Sequence, residues 1–446
     1  MTMHITELLN NKNLSQIKSE LKNMQEADIA EIINSLNKKN SLLLFRLLDK
    51  EMASEVFSHL SPNKQSELSV QIRENELKAI LEDLYFDDMI DYLEEMPASF
   101  IKRILKNTGE VERNLINQFL NYPANCAGSI MTIEYVDFKA GMTVKSAIDR
   151  IRKTAIDKET VYTCYVTDNN RELEGIVSLK DLVLAKPDRL VRDIMNSNII
   201  YVTTMSDQEE VSAIFKKYDL LTVPVVDREN RLVGIITIDD IVDVIDLENT
   251  EDFHKMAAIQ PSDVGYLSAG ILSLAKKRIM WLLILMISAT ISGNIIRKYN
   301  DLLQSMVILA AFIPRLMDTG GNAGSQSSTL VIRSIALGEI RSKDLFRVLW
   351  KEIRVSIIVG LVLGIFNFFQ IILLGYGNPT LALTVSLTLF ITIFTAKIIG
   401  GALPLVAKTF GIDPAIMASP LITTIVDAIA LISYFAIASR LLEMVW

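Results

Sequence analysis

The chain has 446 residues, 22% of them charged, and a formal net charge of −8. A mean hydropathy of +0.31 is too apolar for an ordinary soluble enzyme, yet the charge content is too high for a chain wholly embedded in lipid, so soluble and membrane portions are expected. Two cysteines without CxxC spacing and only three histidines argue against a disulfide framework or a zinc site, and the acidic balance disfavours nucleic acid as a partner.

The opening "MTMHITELLNNKNLSQIKSE" has no basic segment leading into an apolar core. No secretory signal is expected, and roughly the first 270 residues should therefore stay in the cytosol. Residues 1–127 read as an all-α, superhelical acidic domain: apolar residues recur at three- and four-residue spacing, with turns near Pro62 and Pro97. In this domain Asp87, Asp91 and Glu95 share one helix face by i, i+4 spacing, where like charges repel. That face is either simply solvated or one that needs a cation to pack.

An internal repeat comes next. "SIMTIEYVDF…VYTCYVTDNNRELEGIVSLKDLV" aligns with "DIMNSNIIYV…TVPVVDRENRLVGIITIDDIV", matching Met131 to Met195, Asp168 to Asp227, Gly175 to Gly234 and Asp181 to Asp240. Each copy ends in strand, polar turn, strand and short helix. This α/β pair resembles tandem CBS domains, with copies at 128–190 and 191–246. The resemblance implies a regulatory module that in some pairs binds an adenine nucleotide such as ATP through Gly-x-x-Ser/Thr-x-x-Asp. Those positions are Gly175, Ser178, Asp181 and Gly234, Thr237, Asp240.

Residues 247–270 read as a long acidic connecting helix with no strong breaker before Pro261. Any movement of the repeat pair must pass through it to reach the apolar C-terminal segments.

From 271 to 446 an all-α membrane domain is expected. Five segments are long enough for a bilayer core, which needs about 20 mostly apolar residues: Ile279 to Ile296, Leu302 to Ile332, Val355 to Tyr376, Leu381 to Ala407 and Ala415 to Ser439. With the N-terminal portion inside, most flanking Lys and Arg fall on inner loops, and only Arg297, Lys298 and Arg440 lie outside, which expects a cytosolic N-terminus and an external C-terminus. Asp427 lies near the middle of its span, where a carboxylate costs at least ~2.5 kcal/mol. It either faces an ion pathway or is a structural acid paired with Lys397 or Arg315. The stretch "DTGGNAGSQSS" brings Gly320, Gly321 and Gly324 to membrane depth. It reads either as irregular backbone lining a watery cavity or as close helix packing, and Asn322 and Gln326 favour the cavity. Pro314 is expected to add a kink. Arg315 puts an unwelcome positive charge near a cation entry, and Asp318, three residues on, is placed to neutralise it. Oxygen-only donors suit magnesium, which keeps much of its water and is held by one or two carboxylates, with manganese and cobalt as alternatives.

The whole order, with "GGNAGSQSSTLVIRSIALGEI" and "ASPLITTIVDAIALISYF", resembles the MgtE family of magnesium channels. The resemblance implies a non-enzymatic, Mg2+-selective protein of the cell membrane, a homodimer with one pore, two copies of Asp427 facing each other and Gly321, Asn322 and Gln326 beside them. It also implies closure by cytosolic Mg2+, held by Asp87, Asp91, Glu209, Asp219, Asp240, Asp243, Glu248, Glu251 and Asp252. Asp240 is thus claimed by both the nucleotide and the metal signatures. A CBS-regulated carrier of another divalent cation, or of a proton-coupled solute, is the competing reading. An enzyme is least favoured, for want of a nucleophile, base and orienter set.

Overall fold

Helices of eight to ten residues dominate the N-terminal part of the computed structural model, which describes residues 2–11, 13–106, 108–261, 266–267, 269–375, 378–417 and 419–443. The chain divides into two units, Met1–Ile245 and Asp246–Trp446. In the first, ten described helices run from Thr2–Asn10 to Glu110–Phe119. The helix Phe86–Glu94 illustrates why they form: Phe86, Met89, Ile90 and Leu93 are buried on one stripe, while Asp87 and Asp88 occupy the first turn, where the helix dipole favours negative charge. The stripe packs through rings, with Phe86 edge-on to Phe119 at 4.7 Å and Phe57 edge-on to Tyr92 at 5.2 Å. Tyr92 is buried and its hydroxyl donates to Ser69 Oγ at 2.7 Å.

The repeat forms two three-stranded sheets of the same topology, β1 (Asp137–Phe138), β2 (Thr163–Thr167) and β3 (Leu173–Ser178), then β4 (Val202–Thr203), β5 (Thr222–Val226) and β6 (Leu232–Thr237). In each the first pair is parallel and the second antiparallel, with an irregularity at the same place, between Val166 and Thr167 and between Val225 and Val226. The matched methionines and glycines lock the copies reciprocally. A Cβ on Gly175 would meet Met195 Sδ at 2.7 Å, and one on Gly234 would meet Met131 Sδ at 2.8 Å. Each copy's leading methionine therefore packs on the other copy's strand, which requires glycine there. Both cysteines are buried and free.

The connecting helix begins earlier and ends sooner than expected. It runs from Ile238 to Met256, continuing straight out of the second repeat, and Ala258 then adopts a left-handed backbone that stops it.

Among the described residues of the second unit, four helices are long and apolar enough to cross a membrane: Ile271–Lys298, Ser342–Leu373, Pro379–Thr409 and Pro414–Leu442. The segment expected as the remaining span, Leu302 to Ile332, is instead built from a short helix Asn300–Ser305, a 3-10 turn Val307–Phe312 and a polar helix Ile313–Ala336. Two expectations change with it. Pro314 starts that helix rather than kinking it, since proline suits the first turn. The glycines leave the helix unbroken, because they serve close packing. Cβ atoms on Gly320, Gly321 and Gly324 would press on Val426, Thr423 and Ile422, and one on Gly400 would stand 2.2 Å from the Gly324 carbonyl oxygen.

Candidate functional site

Two groups of oxygen donors stand out, one in each unit. In the first, the helix Phe86–Glu94 presents Asp87, Asp88 and Asp91 toward the start of the helix Ile238–Met256, and these acids interact with Asp239, Asp240 and Asp243. One oxygen from each of Asp87, Glu134 and Glu159 lies within 4.8 Å of the others. Glu134 does a second job, because its Oε2 accepts from the Phe86 N–H at 3.0 Å and from Thr132 Oγ1 at 2.8 Å, so it caps the helix that carries Asp87.

Burial and mutual repulsion govern these groups. Asp87, only 7% exposed, is held well above the usual carboxylate range by burial first and then by the charges of Asp240, Glu159 and Asp88. Burial, reinforced by neighbouring acids, pushes Asp91 up to about 7 and Glu159 to about 8. Asp88 rises to about 6, burial again leading and His59 opposing it. Asp240 reaches about 7 through burial, even though the Thr237 hydroxyl, donating to it at 2.7 Å, favours its charged form. Glu159 Oε2 is buried with no hydrogen-bond partner among the described residues. Such an orphan asks for a partner, and an all-oxygen set suits a hard divalent cation. The residues present fit one.

Sequence reasoning named Asp87, Asp91, Asp240 and Asp243 here and missed Glu134, Glu159, Asp88 and Asp239. Glu209 and Asp219 are exposed at the two ends of the helix Gln208–Tyr218. Of the nucleotide-signature residues, Ser178 caps its helix and donates to Asp181 at 2.6 Å. Thr237 and Asp240 form the equivalent pair, but Asp240 is engaged in the acidic group. That leaves the first repeat as the more accessible of the two signatures.

The connector acids belong to the second unit. Lys255 Nζ lies 2.6 Å from both Glu251 and Asp413. Burial works against its charge, yet these bonds outweigh it and hold the ammonium above its ordinary range. Asp252 is raised by burial and then by Asp413, although Lys255 opposes the shift. Asp252, Glu251, Asp413 and Glu248 thus share one neighbourhood.

In the helical bundle, the helix Ile313–Ala336 has two faces. Gly320, Gly321, Gly324, Ser327 and Ser328 are buried against neighbouring helices, whereas Asp318, Asn322 and Gln326 are exposed. Gly321, expected beside the ion, packs on Thr423. Asp427 is half-buried on the helix Ser419–Glu443 and has no ion pair among the described residues. The partners expected for it are committed elsewhere. Arg315 Nη1 donates to Asn367 Oδ1 at 2.7 Å, and Lys397 Nζ reaches Ser327 Oγ at 3.3 Å.

Residues 313–437 match the family described as MgtE, divalent cation transporter, residues 24–125 match the MgtE intracellular N domain, and 127–188 and 191–247 match CBS domains. The chain is 36% identical to the magnesium transporter MgtE of Thermus thermophilus, covering 100% of this chain and 99% of that protein. It is 31% identical to the magnesium transporter MgtE of Bacillus subtilis, covering 99% and 98%. A crystal structure of the cytosolic domain of the Mg2+ channel MgtE in complex with ATP is similar at 35% identity and a TM-score of 0.53, over 55% of this chain and all of that one. With its helical domain, CBS pair and helical membrane region, the chain belongs to the MgtE family of magnesium transporters.

Proposed function

We propose that the chain conducts Mg2+ across the cell membrane along the polar face of the helix Ile313–Ala336, past Asp427, and that cytosolic divalent cation shuts the path. The observation that carries the reading is the exposed Asp318, Asn322 and Gln326 together with a half-buried Asp427 that has no ion pair among the described residues, in a bundle whose other long helices are apolar. Polar side chains at membrane depth do not face lipid. A second copy of the chain covering this face, with water between, satisfies them and supplies the homodimer. Lys and Arg on the inner flanks support a cytosolic N-terminus and five crossings, the polar helix being shielded from lipid by its neighbours.

Closure rests on the first unit. A divalent cation held by Asp87, Glu134 and Glu159, with Asp91 and Asp240 nearby, supplies the positive charge that lets these acids stay ionised together. The helix Phe86–Glu94 and the start of the helix Ile238–Met256 then hold together, and restraint passes along the latter toward Glu248, Glu251 and Asp252. Weak sites acting jointly make this response steep. The Ser178 and Asp181 pair is the position proposed for an adenine nucleotide, supported by the ATP complex of the relative's domain.

The test is Mg2+ uptake into liposomes holding the full chain, wild type against Asp427→Asn, at low and at ~10 mM Mg2+ on the cytosolic face, a range chosen for weak carboxylate sites. Wild type is expected to conduct only at low cytosolic Mg2+ and the variant at neither. Normal uptake by Asp427→Asn would make that carboxylate structural.

A further inference from the structure

The helices Ile313–Ala336 and Ser419–Glu443 are in close antiparallel register. Gly320 faces Val426, Gly321 faces Thr423 and Gly324 faces Ile422, so one number falls as the other rises. From the Gly321–Thr423 contact, one turn back along the first helix reaches Asp318, and one turn on along the second reaches Asp427. The two carboxylates are therefore level.

Asp318 is also available. It is exposed on the same face as Asn322 and Gln326, at i, i+4 and i+8. The sequence suggested that it neutralises Arg315, but that guanidinium lies over the Phe312 ring and donates to Asn367, whose amide in turn donates to Ser386 at 2.9 Å. Among the described residues Asp318 makes no ion pair. Two level acids, neither in an ion pair among the described residues, call for a counter-charge from outside the chain.

We propose that Asp318 is a second carboxylate of the ion site, so that each copy of the chain offers the hydrated divalent cation a pair, Asp318 and Asp427, rather than one acid. This rests on the transport reading above. Magnesium that keeps its inner waters is held well by two carboxylates acting through those waters. The added charge raises occupancy at low external Mg2+ and disfavours monovalent ions, whose attraction to the pair is half as large.

The test measures Mg2+ uptake against external Mg2+ concentration in liposomes holding the full chain, for wild type, Asp318→Asn, Asp318→Ser, Asp318→Glu and Asp427→Asn. Both neutral variants are expected to raise the half-saturating concentration by at least about fivefold with little change in maximal rate, and Asp318→Glu to restore it. A half-saturating concentration equal to wild type in either neutral variant overturns the inference, as does a loss confined to maximal rate, which marks a packing role. If wild type takes up Mg2+ and Asp427→Asn does not, such a result leaves the transport reading standing. If wild type takes up none, both readings fall.

Discussion

A methyl group at Gly400 would stand 2.2 Å from the Gly324 carbonyl oxygen and 3.0 Å from its carbonyl carbon. Both neighbours are backbone of another helix, so nothing small can rotate away. Gly400→Ala should therefore destabilise the membrane unit by about 1–3 kcal/mol, read as a lower melting temperature of the purified chain in detergent. Gly293, in the helix Ile271–Lys298, has open space where its Cβ would go. Gly293→Ala should raise stability by about 0.5–1 kcal/mol through helix propensity alone. Equal effects of the two substitutions would mean that the glycines are not packing residues. The same single-residue logic explains why so much of the sequence's Gly-Asn-Ser stretch was ambiguous. Gly324 and Asn322 are two residues apart yet have opposite tasks, one buried against the Ala396 carbonyl oxygen and the other exposed.

At the scale of elements, three helices of the second unit are tied by one polar chain. Lys397 Nζ approaches Ser327 Oγ at 3.3 Å, and Ser327 Oγ donates to Glu352 Oε2 at 2.7 Å. Lys397 is only 5% exposed, and a buried charge stripped of its partner is costly. Lys397→Met and Glu352→Gln should each destabilise by about 3 kcal/mol, and the double variant by clearly less than the sum. Additive losses in a thermal double-mutant cycle would show that the two charges do not communicate through Ser327. The elements themselves were legible in sequence where burial has a period: the amphipathic stripe of Phe86–Glu94, the duplicated strand-turn-strand and the long apolar helices. The acidic group was legible only on its helical side. Glu134 and Glu159 sit in irregular segments of the first repeat, where no periodicity marks which way a side chain points. Only the fold brings them to Asp87. Lys397 was visible as a charge in an apolar run, but its partners on two other helices were not.

For the molecule as a whole, the acidic group makes stability of the first unit depend on pH in an unusual sense. Folding raises the carboxylates of Asp91, Asp240 and Glu159 to about 7, 7 and 8, against unfolded values near 4. The folded state therefore binds more protons than the unfolded state between about pH 4 and pH 8. Stability must then fall as pH rises through that window, because the slope is set by the excess of protons bound by the unfolded state. A fragment of residues 1–260, holding the helical domain, the repeat pair and the helix Ile238–Met256, should melt at least about 5 °C lower at pH 8.5 than at pH 5.5 without divalent ions. Mg2+ at ~10 mM should recover most of the loss at pH 8.5 and give little at pH 5.5, where protons already occupy the acids. Circular dichroism is the appropriate probe, since all three tryptophans, Trp281, Trp350 and Trp446, lie outside the fragment. Glu159→Gln should flatten the pH dependence and weaken the Mg2+ effect together, because one buried oxygen is responsible for part of both. A melting temperature that rises from pH 5.5 to 8.5 without Mg2+, or a Mg2+ effect equal at both pH values, would show that the acids are solvated and independent, and would remove the basis for the proposed closure.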